Sequence, residues 1–129
     1  MDKPSKPSTV LVVEDESLVN WDIADVLRDS GFNVVQAFTG EQAMAIIEKQ
    51  SDIRLVFADI NLPGKLDGIA IANEIQERWP HIEVLLTSAF NRERVEKLDI
   101  VRLYGRFVLK PYPPQAVARR IREIVGEAA

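Results

Sequence analysis

The stretch that decides the fold is LVFADINLPG, which occupies residues 55–64. An apolar run leads directly into the carboxylate of Asp59, and the chain then turns at Pro63 and Gly64. Such a run, bounded by turn residues, is typical of a strand buried on both faces of a parallel sheet. Open parallel sheets bind ligands beside the carboxyl ends of their strands. We therefore expect Asp59 at the functional edge of a sheet.

Length and composition indicate one ordinary domain. The chain has 129 residues and a net charge of −4, so it lacks the basic footprint of a protein that binds nucleic acid directly. It has no cysteine, which excludes disulfides, thiolate nucleophiles and cysteine metal sites. No apolar run approaches the ~18 residues of a membrane span, and residues 1–8 lack the apolar core of a signal peptide. We expect a cytoplasmic protein without membrane contact, with a flexible leader at 1–8 and one domain at 9–127.

Five apolar segments alternate with five amphipathic segments along the chain. The predicted strands are Thr9–Val13, Asn33–Ala37, Ile53–Ala58, Ile82–Thr87 and Arg106–Leu109. The predicted helices begin near Ser17, Thr39, Asp67, Asn91 and Pro113, with Ser17 and Asp67 as caps. Strict alternation predicts parallel strands with helices on both faces of the sheet. The simplest solution is a flavodoxin-like, doubly wound (βα)5 sandwich of three layers, an α/β fold with strand order 2-1-3-4-5.

Polar side chains follow four of these strands where each strand ends. They are Glu14 and Asp15, Asp59, Thr87 or Ser88, and Lys110. Clustered carboxylates repel one another unless they are protonated or bind a cation. Mg²⁺ is satisfied by two carboxylates, a carbonyl and waters. Together with a hydroxyl and a lysine, such a cluster has the composition of a site for phosphoryl transfer to a carboxylate.

Four motifs at these strand ends resemble the receiver domain of two-component response regulators, in the CheY-like superfamily. They are VVEDE at 12–16, DINLP at 59–63 with Asp67 and Gly68, TSA at 87–89 and FVLKP at 107–111. The resemblance runs from about Thr9 to Gly126 and implies a single-domain receiver. The presence of Met1 and the end of the sequence soon after the last predicted helix favour a free-standing regulator over a phosphorelay shuttle or a receiver that belongs to a longer protein.

The resemblance implies that Asp59 is phosphorylated by a histidine kinase or a histidine phosphotransfer protein. Asp15, Asp59 and the main-chain carbonyl of Asn61 would bind Mg²⁺ directly, and Glu14 would hold it through water. Lys110 would pair with the phosphoryl group, and the peptide bond that follows Lys110 would be cis. Such a protein is a phosphoacceptor that assists its own phosphorylation and dephosphorylation, rather than an enzyme in the usual sense.

The resemblance also implies a switch formed by a hydroxyl and the aromatic ring of Phe107. Ser88 is favoured as that hydroxyl because it precedes the small Ala89 at the usual interval before Lys110, and Thr87 is the alternative. Phe107 could equally be a plain core residue. The switch would alter a surface of the fourth predicted helix, the fifth strand and the fifth helix, which would bind a downstream protein.

Three features depart from the family pattern. Glu14 stands where aspartate is commoner, the loop at 63–68 is one residue longer than usual, and 99–104 lacks a common run of small residues. Two other functions remain open at this point. One is an interaction module of the same fold that works without phosphorylation, and the other is a flavodoxin-type carrier or Mg²⁺ phosphatase. Trp21 and Trp79 are interpreted as packing residues, and Arg119, Arg120 and Arg122 as a solvated helix face.

Overall fold

The computed structural model describes residues 7–89 and 106–126. Its strands are β1 (Thr9–Val13), β2 (Asn33–Ala37), β3 (Ile53–Asp59), β4 (Glu83–Ala89) and β5 (Phe107–Lys110). Its helices are α1 (Ser17–Asp29), α2 (Gly40–Lys49), α3 (Gly68–Arg78) and α4 (Pro114–Val125). The helix predicted from Asn91 and the segment 99–104 lie outside the described residues. Helix α4 of the structure therefore corresponds to the fifth helix that the sequence predicts.

The described strands form one parallel sheet in the order β2-β1-β3-β4-β5. The predicted flavodoxin-like, doubly wound fold and its strand order are confirmed. The register pairs Val13 with Ala58, Asp59 with Thr87, and Ala89 with Lys110. Because these pairs stand at the carboxyl ends of their strands, the side chains that follow β1, β3, β4 and β5 meet at one edge of the sheet.

Alternate residues of the central strand face two separate apolar layers. Val56 and Ala58 pack with α2 and α3, while Leu55 and Phe57 pack with α1 and α4. The neighbouring strand β4 follows the same alternation, with Leu86 in the first layer and Leu85 in the second. Each fully buried aliphatic or aromatic side chain contributes about 1.5–3 kcal/mol through burial. Both faces of the sheet are thus held in place beneath the functional edge.

Helix starts follow the sequence in one case and depart from it in another. Asp67 caps α3 as predicted, because its Oδ1 accepts a hydrogen bond of 2.9 Å from the amide of Ala70. The prediction that Ser17 caps α1 is wrong. Ser17 is the first helical residue, and the preceding Glu16 is extended without a side-chain capping bond. The helix therefore begins one residue earlier than the serine signal indicated.

The predicted surroundings of two side chains also need correction. Arg122 was expected on a solvated face, but its guanidinium donates to the carbonyl oxygen of Ser30 and lies 5.3 Å from the ring centroid of Phe32. The long side chain reaches back across the gap between helices and joins α4 to the end of α1. Trp21 was expected to be packed, but it is 51% exposed.

The described part of the chain is already anchored to the sheet one residue before β1 begins. The buried Ser8 already accepts a hydrogen bond of 3.0 Å from the amide of Asn33, which anchors it to β2. Residues 1–6 lie outside the description, so the extent of the leader stays a prediction. Among the described helices, none combines the length and apolar character needed to cross a membrane.

Candidate functional site

Three carboxylates converge at the carboxyl ends of β1 and β3. Ligand oxygens of Glu14, Asp15 and Asp59 all lie within 4.8 Å of one another. Glu14 and Asp59 are buried, with 3% and 5% of their surface exposed, whereas Asp15 is exposed. The three predicted acidic residues are thus brought together, with one of them open to solvent.

Lys110 compensates the two buried carboxylates of this cluster. Its Nζ donates to Oε1 of Glu14 at 2.6 Å and to Oδ2 of Asp59 at 2.7 Å. Burial alone would lower the pKa of Lys110, but the hydrogen bonds to Asp59 and Glu14 outweigh it and raise that pKa. Burial also raises the pKa of Glu14, against the opposing hydrogen bonds from Lys110 and the amide of Glu16. Lys110 therefore stays cationic at neutral pH, where it can attract an anionic group.

Asp59 is oriented by a second set of contacts on its other oxygen. Its Oδ1 accepts a hydrogen bond of 2.8 Å from the main-chain amide of Asn61. The side-chain amide of Asn61 donates to Oγ of Ser88 at 2.7 Å. Asn61 thus connects the carboxylate after β3 with the hydroxyl on β4. The sequence analysis assigned a role to the carbonyl of Asn61 and missed its side chain.

Two glycines let the backbone around Asp59 pack closely. A Cβ atom on Gly68 would lie 2.5 Å from the carbonyl oxygen of Asp59, and one on Gly40 would lie 2.1 Å from that of Leu66. Real Cβ atoms do not approach backbone atoms so closely, so both positions require glycine for space. The start of α3 is therefore fixed against Asp59, and the loop at 63–67 rests on the start of α2. The pairing of Asp67 with Gly68 was the sequence signal for the first contact.

A buried amide anchors the carboxyl end of β1. The side chain of Asn20 is fully buried and donates to the carbonyl oxygens of Glu14 and Ala37, both at 2.9 Å. Its Oδ1 accepts from Nε2 of Gln36 at 2.9 Å. These bonds fix the backbone from which the acidic pair projects. Sequence reasoning missed Asn20, although a polar residue on an otherwise apolar helix face was the available signal.

The two candidate hydroxyls differ in their surroundings. Thr87 is 2% exposed, and its Oγ1 has no hydrogen-bond partner among the described residues. Ser88 is 4% exposed and is held by Asn61. Phe107 is partly buried and packs against the layer that contains α2 and α3. The peptide bond between Lys110 and Pro111 is cis, as expected.

The donor set of the acidic cluster fits a hard divalent cation. All three side chains offer carboxylate oxygens, and Mg²⁺ prefers oxygen ligands over nitrogen or sulfur ligands. Two of these side chains are buried and one is exposed. The exposed Asp15 leaves the cluster accessible from solvent. Glu14, Asp15 and Asp59 are therefore the residues that could hold such an ion.

Comparison with known proteins assigns the chain to a family. A family model described as the response regulator receiver domain matches residues 10–122. The chain is 36% identical over 92 residues to the transcriptional regulatory protein PdtaR of Mycobacterium tuberculosis, a match that covers 70% of this chain and 44% of PdtaR. It is 30% identical over 118 residues to the aerobic respiration control protein ArcA of Escherichia coli, with 91% of this chain and 48% of ArcA covered. The chain thus spans less than half the length of these two relatives.

The chain is also similar to a solved structure over nearly the whole length of both proteins. The receiver domain of NtrX from Brucella abortus is 30% identical and matches 92% of this chain and 99% of its own length, with a TM-score of 0.81. With the matched family model and the strand order, this similarity shows that the chain belongs to the receiver domain family of two-component response regulators.

Proposed function

We propose that Asp59 accepts a phosphoryl group from a phosphohistidine of a histidine kinase or a histidine phosphotransfer protein, with Mg²⁺ bound at the acidic cluster. The observation that supports this most directly is the contact of 2.7 Å between Nζ of Lys110 and Oδ2 of Asp59. Phosphorylation and Mg²⁺ binding are general features of receiver domains. The phosphorylated protein would then bind a downstream partner differently from the resting one.

The transfer requires a nucleophile, a cation and a leaving group. One oxygen of Asp59 attacks phosphorus while the bond from phosphorus to the donor's imidazole nitrogen breaks, and the imidazole takes up a proton. Lys110 already contacts that carboxylate, so its ammonium can pair with a phosphoryl oxygen as negative charge moves there. Attack by water on the same phosphorus would break its bond to the aspartyl oxygen and release inorganic phosphate, which returns Asp59 to its resting form. The chain is thus a phosphoacceptor that assists both reactions.

The metal residues divide into direct and indirect ligands in this proposal. Asp15, Asp59 and the main-chain carbonyl of Asn61 would hold Mg²⁺ directly, and Glu14 would hold it through water. Bound Mg²⁺ supplies positive charge for the phosphoryl oxygens.

The proposed switch includes Ser88 and Phe107. The hydroxyl of Ser88 would move toward the phosphoryl group on Asp59, and the ring of Phe107 would follow into the vacated space. Because β5 is an edge strand, a change at Phe107 reaches a surface that includes Leu109, which is 40% exposed. That surface extends over β5 and α4, and the helix predicted from Asn91 would complete it. We propose it as the site that a downstream protein recognises.

A groove beside Lys110 is suited to the phosphodonor. It has a volume of about 730 Å³ and is lined mainly by apolar residues of α1 and the segment that leads into α4. Leu18 borders this groove and is 87% exposed, so its side chain is accessible to a partner. A helix of the donor that packs on Leu18 would bring its phosphohistidine to Asp59. We propose this mode of docking for the phosphodonor. We expect it to take place in the cytoplasm, where the phosphodonor's kinase domain would be found.

Two alternatives remain within the same fold. An interaction module that works without phosphorylation would not need Lys110 placed on Asp59, so the observed contact disfavours it. A phosphorelay shuttle would use the same site and then pass its phosphoryl group to a second histidine. The interaction module would not be labelled, whereas the shuttle would be labelled and would then pass the phosphoryl group on, so the experiment below separates them.

Intact mass spectrometry after incubation with acetyl phosphate and Mg²⁺ tests the proposal. We expect a gain of one phosphoryl group in the wild type and none in Asp59→Asn or without Mg²⁺. Asp25→Asn is the matched control, because Asp25 is exposed on α1 and away from the cluster, so this variant should be labelled like the wild type.

The outcomes distinguish the three functions. Labelling of Asp59→Asn to the wild-type level would refute the assignment of the acceptor. Absence of labelling with acetyl phosphate and with a phosphorylated histidine phosphotransfer protein would favour the interaction module. Transfer of the label from the protein back to an added histidine phosphotransfer protein would support the shuttle.

A further inference from the structure

We propose that Asn61 is a positioning residue whose side-chain amide holds the hydroxyl of Ser88 in its resting place. This restraint slows the phosphorylation of Asp59. This inference rests on the proposed function, in which Ser88 supplies the hydroxyl that approaches the phosphoryl group. It adds a restraint on the resting state. The sequence analysis assigned a role only to the main-chain carbonyl of Asn61, whereas this restraint lies in its side chain.

Asn61 contacts both groups that must respond to phosphorylation. Its main-chain amide donates to Oδ1 of Asp59 at 2.8 Å, and its Nδ2 donates to Oγ of Ser88 at 2.7 Å. Ser88 and Asp59 are both at least nine-tenths buried, whereas Asn61 is exposed. An exposed side chain that reaches inward to a buried hydroxyl is well placed to be released without disturbing the core.

The two sheet faces explain why this contact belongs to the resting state. Asp59 follows the alternation of Phe57 toward the layer with α1 and α4, and its register partner Thr87 follows Leu85 to the same face. Ser88 follows Leu86 toward the layer with α2 and α3. The hydroxyl of Ser88 must therefore turn across the end of the strand to approach a phosphoryl group on Asp59.

That turn moves Oγ away from the amide of Asn61. A hydrogen bond present in one state alone shifts the equilibrium toward that state by its own net free energy. Removal of this bond should therefore favour the state in which Ser88 faces the phosphoryl group. Since one net hydrogen bond is lost from the resting state, we expect Asn61→Ala to be phosphorylated about threefold to tenfold faster than the wild type.

The test is a double-mutant cycle on the initial rate of labelling. The wild type, Asn61→Ala, Ser88→Ala and the double variant are labelled with acetyl phosphate at saturating Mg²⁺ and followed by intact mass. Circular dichroism verifies that each variant is folded. We expect Asn61→Ala to accelerate labelling in the wild-type background and to change it by less than about 1.5-fold when Ser88 is already alanine. The same substitution should keep its full effect in a Thr87→Val background, because Thr87 lies on the other face.

A second readout does not depend on phosphorylation. In the resting protein, the side-chain amide resonance of Asn61 in a ¹⁵N–¹H NMR spectrum should shift in Ser88→Ala and remain in place in Thr87→Val. An unchanged resonance in Ser88→Ala would overturn the contact itself. Equal or slower labelling of Asn61→Ala, or equal acceleration in the Ser88→Ala background, would overturn the restraint. Failure of the wild type to become labelled would instead count against the proposed function, while the NMR result would still decide the contact.

Discussion

The Nζ atom of Lys110 lies 2.7 Å from Oδ2 of Asp59, although 51 residues separate them in the sequence. The same nitrogen lies 2.6 Å from Oε1 of Glu14. One ammonium thus compensates two buried carboxylates, and buried charges are tolerated when they are paired in this way. A phosphoryl group on Asp59 would add negative charge beside the same ammonium. Lys110 therefore connects the stability of the resting site with its proposed chemistry.

Lys110→Met should destabilise the protein at neutral pH by about 2–3 kcal/mol, because two buried carboxylates lose their cation. Burial already raises the pKa of Glu14, so protonation of Glu14 favours the folded state. The stabilisation from that proton is present below the ordinary pKa of Glu14 and is lost as pH rises through its raised pKa. We therefore expect the deficit of Lys110→Met to shrink as pH falls from about 7 to about 5.

Urea unfolding of Lys110→Met at several pH values provides the measurement. Lys49→Met serves as the control, since Lys49 is exposed at the end of α2 and its loss should cost less than about 0.5 kcal/mol. A deficit that is independent of pH would contradict the role of the carboxylates.

Thr87→Val should stabilise the protein by about 1 kcal/mol, because the buried Oγ1 of Thr87 has no partner within the described part of the chain. Valine has the same shape and carries no polar group that needs a hydrogen bond. Ser88→Ala is the matched comparison and should be neutral or destabilising, since it removes the bond from Asn61. Denaturant midpoints for both variants test this difference, and a destabilised Thr87→Val would show that the hydroxyl has a partner after all.

Gly68→Ala should destabilise the protein by about 1–3 kcal/mol, because its Cβ would meet the backbone of Asp59 and Ile60. Helix propensity alone predicts the opposite sign, since alanine is about 0.5–1 kcal/mol better than glycine in a helix. The sign of the change in unfolding free energy therefore decides between close packing and propensity. A stabilised variant would mean that the start of α3 can move away from Asp59.

Tyr112 should titrate far above an ordinary tyrosine. Burial raises its pKa from the ordinary 10.0 to about 12, and its ring packs edge-on against Phe57 with the ring centroids 5.6 Å apart. Because this pKa is raised in the folded state, the protonated phenol stabilises the protein below the pKa of tyrosine in the unfolded chain. That stabilisation is lost as pH rises from 10.0 toward about 12. The chain has two tyrosines, so Tyr104→Phe leaves Tyr112 as the single phenol. Ultraviolet titration of that variant near pH 10, while circular dichroism shows it folded, should reveal little tyrosinate; half-ionisation there would contradict the prediction.

Much of the fold was accessible from sequence because it depends on patterns. Apolar runs such as 55–58 mark strands of a doubly buried sheet, and their alternation with helices leaves few topologies. The site followed from the same logic, since the carboxyl ends of parallel strands share one edge. The sequence alone therefore predicts that Glu14, Asp59 and Lys110 lie together.

The contacts that sequence reasoning missed depend on side-chain reach rather than on pattern. Asn20 looked like any polar residue in α1, yet it carries three hydrogen bonds. Arg122 occupied a position expected to be solvated, yet its flexible chain reaches Ser30. The cap at Ser17 was wrong because serine also serves as a first helical residue. Periodicity does not distinguish Asn20 and Arg122 from solvated residues, since each is decided by a partner distant in the sequence.

The measurement that tests the central claim most directly is borohydride trapping of the phosphorylated protein. Borohydride reduces an aspartyl phosphate to homoserine, which peptide mass spectrometry locates in the sequence. After incubation with donor and Mg²⁺, the account predicts homoserine at position 59 and at no other aspartate. Homoserine at Asp15 or Asp67, or a phosphorylated protein that yields no homoserine at position 59, would contradict it.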